Sequence, residues 1–233
     1  MNTALVLSGG SGSRMKMDIP KQYVKAGDRM VITYALDTLI SHDDIDAVHI
    51  VAAEEYEEII IEDVSRHVDP FEKKLRGFAK PGDTRQLSIL NGLNSIKEYA
   101  SEEDMVLVCD AARPLVSKEQ IHACIKACAD HDGAMPVLPM KDTVYLSRDG
   151  RTVSELLDRS SIFAGQAPEA FKYGKYLRAN EALLPDRIMK INGSSEPAVL
   201  AGMDIAMIPG EEKNFKITTM ADLERFKEIL AHV

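Results

Sequence analysis

The chain has 233 residues, of which 45% are apolar and 28% are charged, and this is enough for one full-sized core. It has no apolar run of about 18 residues that would span a membrane, and its net charge of -9 disfavours a nucleic-acid binder that neutralises phosphates. The first residues enter an apolar run without a basic leader, so we expect a cytoplasmic protein.

Short apolar runs alternate with segments of helical periodicity along most of the chain. Runs of this kind are typical of parallel strands covered on both faces, so the pattern predicts βαβ units and an α/β fold. The predicted strands are residues 3–8, 47–52, 75–79, 105–109 and 134–138. The predicted helices are residues 31–41, 54–67, 85–99, 118–130 and 173–183, with a last helix after Thr219. Ser117 and Thr219 are expected to be N-caps.

The pattern changes between Lys141 and Gln166. Two short strand-like segments, residues 143–146 and 152–156, flank an Arg-Asp-Gly turn at 148–150. A hairpin this small cannot hold a core and must pack on something, most simply on the same element of a second subunit. We therefore expect a single domain over residues 1–233, with residues 139–165 as a dimerisation arm of a homodimer.

A glycine-rich loop follows the first predicted strand. Three glycines within four residues let the backbone approach a ligand, and their amides can surround phosphate oxygens. Arg14 and Lys21 would add positive charge. The spacing fits neither a P-loop nor a dinucleotide-binding fingerprint; a flexible turn with solvated basic side chains is the plain alternative. The segments concerned are Leu7-Ser8-Gly9-Gly10-Ser11-Gly12-Ser13-Arg14-Met15 and Pro20-Lys21-Gln22.

Two further charged residues stand where ligands bind in α/β folds. Asp110 follows the predicted strand 105–109, so its carboxylate lies at the carboxyl edge of the sheet and could reach a metal or a ribose, or simply cap the next turn. Lys216 alternates with Phe215 and Ile217 in a strand-like segment and could project into a cleft, or be an exposed lysine. Arg113, before Pro114, could be structural or contact an acidic ligand.

Taken together, the motifs resemble those of the cytidylyltransferases that make CDP-polyols, the family of 2-C-methyl-D-erythritol 4-phosphate cytidylyltransferase and its ribitol 5-phosphate relatives. The resemblance runs in order along nearly the whole chain. Its marks are Gly9-Gly10-x-Gly12-x-Arg14-Met15, Pro20-Lys21-Gln22, Gly82-Asp83-x-Arg85-x-x-Ser88, Asp110-Ala111-Ala112-Arg113-Pro114, Asp142-Thr143, Asp158-Arg159 and Asn214-x-Lys216-x-Thr218.

The resemblance implies a Rossmann-like nucleotidyltransferase fold, with a mostly parallel twisted sheet between helices and a β-arm excursion. It also implies transfer of CMP from CTP to methylerythritol phosphate with Mg²⁺ and release of pyrophosphate; ribitol 5-phosphate is the second acceptor to consider. Such transfer needs alignment and charge stabilisation more than covalent catalysis.

Residue roles follow from the same resemblance. The implied catalytic residues are Arg14, Lys21 and Lys216. Nucleotide binding is implied for Gly9, Gly10, Gly12, Gly82, Asp83, Ser88 and Asp110, with Asp110 also a candidate metal ligand. Acceptor binding is implied for Arg113, Thr143, Arg159 and Lys216, with Thr143 and Arg159 completing the pocket of a neighbouring subunit.

Two segments depart from the family pattern. Asn192-Gly193-Ser194-Ser195-Glu196-Pro197 stands where methylerythritol phosphate enzymes have Thr-Asp-Asp/Glu-Ala-Ser. Gln166-Ala167-Pro168-Glu169 replaces the more usual Thr-Pro-Gln, which is a milder change. Neither is in the glycine-rich loop, so we expect the departures to affect the acceptor and not CTP. A catalytically idle nucleotide-binding protein and a nicotinamide-dependent dehydrogenase are the alternatives of another class.

Overall fold

The computed structural model describes residues 1–10, 19–69 and 71–232, with only the backbone of Phe71 and Glu72. It confirms the α/β class. The strands are β1 (Asn2–Leu7), β2 (Lys25–Ala26), β3 (Arg29–Met30), β4 (Ala47–Val51), β5 (Leu75–Ala79), β6 (Met105–Asp110), β7 (Gly133–Pro139), β8 (Val144–Leu146), β9 (Glu155–Leu157), β10 (Phe163–Gly165), β11 (Glu169–Lys172) and β12 (Ile205–Pro209). The α-helices are α1 (Val31–Ile40), α2 (Glu57–His67), α3 (Phe71–Lys74), α4 (Arg85–Ile96), α5 (Lys118–Asp130), α6 (Tyr173–Glu181), α7 (Glu196–Leu200) and α8 (Met220–Leu230).

Eight strands form one sheet in the order β10-β7-β11-β6-β1-β4-β5, with β12 paired to β7. The pairs β1–β4, β1–β6, β4–β5 and β7–β12 are parallel, whereas β11 runs antiparallel to β6 and β7. The carboxyl ends of β1, β6, β4 and β5 therefore meet at one edge, where open α/β sheets bind ligands.

The sheet is covered on both faces. Ala4 and Val6 of β1 pack against a cluster that includes α1, α2 and α5. Leu5, between them, faces the opposite cluster, which includes α4, α6 and α7. This is why β1 is apolar at every one of these positions rather than alternating.

A third, smaller cluster ties the two ends of the described chain together. Ala26 of β2 and Val31 of α1 pack with Leu223 and Phe226 of α8, and Ile217 is buried among them. Helix α8 begins with a capping box in which Thr219 and Asp222 satisfy each other's backbone amides. The predicted cap at Ser117 is also present, since its hydroxyl accepts from the Gln120 amide.

The excursion leaves the main sheet after Pro139 and rejoins it at Phe163. Its strands β8 and β9 pair only with each other among the described residues. The first predicted segment is right to within a residue, but the second begins at Glu155 and not at residue 152, because the turn around Gly150 extends over residues 147–154. In the described part of the chain, no helix has both the length and the apolar character to span a membrane.

Candidate functional site

A cavity of about 520 Å³ opens at the carboxyl ends of β1, β5 and β6. It brings together most of the residues that the sequence singled out; Gly12 and Arg14 lie outside the described residues. The lining residues are Leu7, Gly9, Gly10, Lys21, Gln22, Gly82, Asp83, Thr84, Arg85, Ser88, Asp110, Ala111, Ala112, Lys216 and Thr218.

Gln22 explains why Pro-Lys-Gln accompanies the glycine-rich loop. Its buried amide donates to the carbonyls of Ser8, at 2.6 Å, and Gly10, at 2.8 Å. Tyr23 adds a hydroxyl bond to the Ser8 carbonyl at 2.9 Å. The start of the loop is thus fastened to the turn that carries Lys21, so the Lys21 side chain and the loop backbone line the same cavity.

Gly9 is required by a close approach. A Cβ built on it would lie 2.4 Å from the Pro81 Cβ, which no real side chain tolerates. Among the described residues, nothing lies within 4 Å of a Cβ on Gly10. Gly9 therefore lets the loop after β1 pack against the segment after β5, whereas Gly10 makes no such close approach to the described residues.

The segment between β5 and α4 forms a second wall. Ser88 Oγ accepts from the Gly82 amide at 3.0 Å and lies 2.9 Å from the Thr84 carbonyl oxygen, and Thr84 caps α4 by accepting from the Leu87 amide. Ser88 thus holds this segment in shape while also lining the cavity. Asp83 is exposed at its rim.

Three cations surround the buried carboxylate of Asp110, the last residue of β6. Arg85 Nη1 lies 2.7 Å from Oδ1, while Lys216 Nζ and Arg113 Nε lie 3.0 Å and 3.2 Å from Oδ2. Asp110 is only 7% exposed. The three partners come from different parts of the chain, so this carboxylate joins the walls of the cavity.

The charges of this cluster shift the pKa values of Asp110 and Lys216. Burial by itself would raise the pKa of Asp110, but the nearby charges of Arg85, Lys216 and Arg113 hold that pKa far below its usual range. Burial also lowers the pKa of Lys216, although Asp110 opposes this effect. Because the cations outnumber Asp110, the cluster has positive charge available for a polyanionic ligand.

Lys216 reaches the cavity from an irregular segment, and the strand expected at residues 214–217 is not formed. Its predicted orientation is nevertheless right, since Phe215 and Ile217 pack in the third cluster while Lys216 points to Asp110. Asn214 fixes the segment instead of a strand partner: its buried amide donates to Gln120 Oε1 at 2.6 Å and to the Ala167 carbonyl at 2.8 Å.

Arg113 is mostly a structural residue in this geometry. Its Nε donates to Asp110 and its Nη1 to the Asn214 carbonyl, and its side chain is only 13% exposed. It does not line the cavity, whereas Lys216 does. The implied contact between Arg113 and the acceptor therefore stays a prediction.

Arg85 lies in the Gly82-Asp83-x-Arg85 motif, which predicts no role for it, and the structure makes it central. Beyond Asp110, it donates through Nη2 and Nε to Ser194 Oγ, at 3.0 Å and 3.3 Å. Glu169 of β11 is buried beside this pair. Their only sequence signal was that Glu169 and Ser194 both lie in segments that depart from the family pattern.

Thr143 and Arg159 lie on the excursion and do not line this cavity. Both are exposed, and Arg159 donates to the Lys141 carbonyl at 2.7 Å. Their predicted place in a neighbouring subunit's pocket is a separate expectation that a single chain does not test.

A nucleotidyltransferase is the class of protein that this fold and cavity define, with a glycine-rich loop and clustered cations at the carboxyl edge of a mostly parallel sheet. The sequence model of the 2-C-methyl-D-erythritol 4-phosphate cytidylyltransferase family, IspD, matches residues 3–232. The chain belongs to this family.

Relatives and solved structures agree with this family assignment. The chain is 34% identical over 231 residues to a bifunctional IspD/IspF enzyme of Paramagnetospirillum magneticum, matching with 95% of its own length but spanning only 54% of that protein. It is 28% identical to a ribitol-5-phosphate cytidylyltransferase of Lacticaseibacillus paracasei, over 99% of this chain and 98% of that one. A crystal structure of 4-diphosphocytidyl-2C-methyl-D-erythritol synthase superposes with a TM-score of 0.80 at 25% identity, covering 98% of this chain and 99% of the other.

Family membership makes the chain a cytidylyltransferase, a class that uses CTP and a sugar phosphate. The dehydrogenase alternative is wrong. The expected fold is confirmed by the match to solved structures of the family.

Proposed function

We propose that this chain transfers CMP from CTP to 2-C-methyl-D-erythritol 4-phosphate, releasing pyrophosphate and a CDP-polyol. The observation that carries the proposal is the cavity itself, which is lined by Gly9 and Gly10 of the glycine-rich loop together with Lys21, Asp110 and Lys216. An idle nucleotide-binding protein has no need to keep these charges together.

Each part of the cavity has a task in this reaction. The amides after β1 and the side chain of Lys21 bind the triphosphate, and the segment 82–88 binds the cytosine. Lys216 stabilises the charge that grows on the α-phosphate oxygens as the acceptor phosphate attacks the α-phosphorus and pyrophosphate leaves. Arg14 is assigned to the triphosphate as well, on the resemblance alone.

Mg²⁺ is proposed to enter with the triphosphate. Mg²⁺ is usually held by one or two carboxylates, substrate phosphates and water, so a single acidic residue is sufficient. Asp110 fits this requirement in part, because its two oxygens already accept from three cations and leave little room for more than one further bond. When bound, the ion would neutralise phosphate charge.

Ribitol 5-phosphate is the second candidate acceptor. Two observations favour it: the relative of that name aligns over 98% of its length, and residues 192–197 lack the acidic pair of methylerythritol phosphate enzymes. Polyol phosphates that differ by a methyl group are separated by only about 1–3 kcal/mol unless a hydroxyl contact is lost.

The experiment is pyrophosphate release with CTP, Mg²⁺ and each acceptor in turn, with ATP and GTP as nucleotide controls. We expect turnover with CTP and methylerythritol phosphate, and the product identified by mass as its CDP derivative. If ribitol 5-phosphate is turned over and methylerythritol phosphate is not, the chain is a CDP-ribitol synthase. If neither acceptor is turned over, both proposed acceptors are rejected.

We also propose that the chain acts as a cytoplasmic homodimer, joined through the excursion. Five large apolar side chains of this hairpin region are exposed in the single chain, namely Tyr145, Leu146, Val153, Leu156 and Phe163. Because Thr143 and Arg159 lie on the same excursion, an exchange of arms would bring them to the partner's cavity. Tyr145→Lys with Leu156→Lys should halve the mass measured by light scattering, and an unchanged mass would reject the arm as the interface.

A further inference from the structure

The two segments that depart from the family pattern meet behind the cavity. Glu169 begins β11, and Ser194 lies in the loop before α7. Both are buried, at 8% and 3% exposure. The Ser194 backbone is fixed there because its carbonyl accepts from the buried Tyr176 hydroxyl at 2.7 Å.

Ser194 holds one side of Arg85 while Asp110 holds the other. Nη2 and Nε of Arg85 donate to Ser194 Oγ, and Nη1 donates to Asp110 Oδ1 at 2.7 Å. All three guanidinium nitrogens are therefore engaged. The side chain is still 30% exposed toward the cavity that it lines, so its position matters to whatever binds there.

Glu169 lies next to Ser194, after Asp110 and Arg85 in this row of neighbouring polar side chains. A hydroxyl that accepts from Arg85 keeps its own hydrogen free to donate, and the buried Glu169 carboxyl is its neighbour. Glu169 Oε2 is buried and has no hydrogen-bond partner among the residues that the structure describes. Burying a carboxyl with an unpartnered oxygen costs free energy, and a purely structural position would be served better by a neutral amide.

We propose that Glu169 and Ser194 are positioning residues that orient Arg85 against Asp110 and thereby set the affinity of the cavity for the nucleotide. This inference rests on the proposed function only for the identity of the nucleotide. The two departing segments are thereby given an effect on nucleotide binding, whereas the sequence alone predicts an effect on the acceptor.

The consequence for substitution is specific. Ser194→Ala removes the acceptor for two N–H groups of Arg85, whereas Ser194→Thr keeps a hydroxyl. Glu169→Gln keeps shape and size but replaces the carboxyl beside the Ser194 hydroxyl with an amide that cannot ionise. Because both changes act through the same contact with Arg85, their effects should not add.

The test is equilibrium binding of CTP with Mg²⁺, measured by titration calorimetry without acceptor. We expect Ser194→Ala and Glu169→Gln each to weaken CTP binding about 10-fold, the double variant to bind no more than about 2-fold worse than the weaker single variant, and Ser194→Thr to recover to within about 3-fold of wild type.

Two control variants change buried polar groups that do not line the cavity. Asp63→Asn changes a buried carboxyl that accepts from the Met30 amide and the Thr33 hydroxyl, and Thr33→Val removes that hydroxyl. Both should lower thermal stability yet leave the Kd of CTP within about 2-fold. A fall in affinity in these controls as large as in the positioning variants would reduce the effect to general destabilisation and overturn the proposal.

Other outcomes are equally decisive. CTP affinity within 2-fold of wild type in both single variants, or additive losses in the double variant, would show that Glu169 and Ser194 do not act through Arg85. Should Glu169→Gln fail to fold, the Ser194→Ala and Ser194→Thr pair decides alone. Failure of the proposed function would appear separately, as wild-type protein that binds CTP but turns over neither acceptor.

Discussion

Lys216 Nζ lies 3.0 Å from Asp110 Oδ2, and this contact joins the segment before α8 to the end of the central strand β6. Asp110 holds the ammonium group in place before any ligand is bound. Burial lowers the pKa of Lys216, but the Asp110 carboxylate counteracts that shift and favours the charged form. The contact thus places a positive charge at the cavity wall.

Removal of this charge should affect turnover much more than folding. We expect Lys216→Ala to lower kcat by about 10²–10³-fold, the usual loss when one group that stabilises transition-state charge is deleted. The midpoint of thermal unfolding should change little because the side chain is 32% exposed. Lys213→Ala, three residues earlier and 63% exposed, is the matched control and should keep full activity in the pyrophosphate assay.

The two glycines at the end of β1 should respond differently to a methyl group. Gly9→Ala places a Cβ against Pro81, so we expect a loss of about 1–3 kcal/mol in the free energy of unfolding and weaker CTP binding. Gly10→Ala meets none of the described residues, so its free energy of unfolding should lie within about 0.5 kcal/mol of the wild-type value. Urea denaturation checks both, and equal stability of the two variants would contradict the close approach of Gly9 to Pro81.

Gln22→Ala should loosen the glycine-rich loop. The Gly10 carbonyl loses its Gln22 donor and the Ser8 carbonyl keeps only that of Tyr23, which costs roughly 1–3 kcal/mol of stability. We also expect a higher KM for CTP with a smaller change in kcat. Asn91→Ala removes an exposed amide that donates to the Lys80 carbonyl and should leave both values unchanged.

The free energy of unfolding should decrease as pH rises, because of the titration of Glu169. Burial raises the pKa of this carboxyl to about 7, although Arg85 opposes the shift, whereas the unfolded chain has a pKa near 4.5. The native state therefore binds more protons between these two values, and the free energy of unfolding falls as pH rises through them.

Glu169→Gln removes this dependence. Between pH 5 and pH 8, wild type should lose up to about 2 kcal/mol relative to the Glu169→Gln variant, from a shift worth about 1.4 kcal/mol per pH unit. Urea unfolding of both proteins at the two pH values measures the difference. A wild-type stability that rises with pH relative to the variant would contradict a raised pKa for Glu169.

The parallel part of the fold could be predicted because each of its strands is a continuous apolar run. Residues 75–79 and 118–130 have the predicted bounds, and the other elements differ by a few residues at their ends. The sequence predicts neither the short strands β2, β3 and β10, nor β11 and β12, nor the short helices α3 and α7. Strand β11 is only four residues long and runs directly into α6, so its sequence shows no period of its own.

The site was predictable as a set of motifs but not as a set of contacts. Asp110 was placed correctly because a strand end fixes its location at the sheet edge. Its pairing with Arg85 and Lys216 depends on which distant segments pack beside β6, and no local pattern carries that information. The same is true of Ser194 and Arg85, which are brought together because α6 packs on α4 and α7 packs on α6.

The third cluster holds the Lys216 segment between β2 and α1 on one side and α8 on the other. Its members are Ala26, Val31, Ile217, Leu223 and Phe226. During synthesis, residues 1–110 would leave the ribosome with the loop and the carboxylate but without their lysine. The charge that stabilises the transition state is therefore placed only in a late step, when α8 docks, so that nascent chains paused before residue 216 should not turn over CTP.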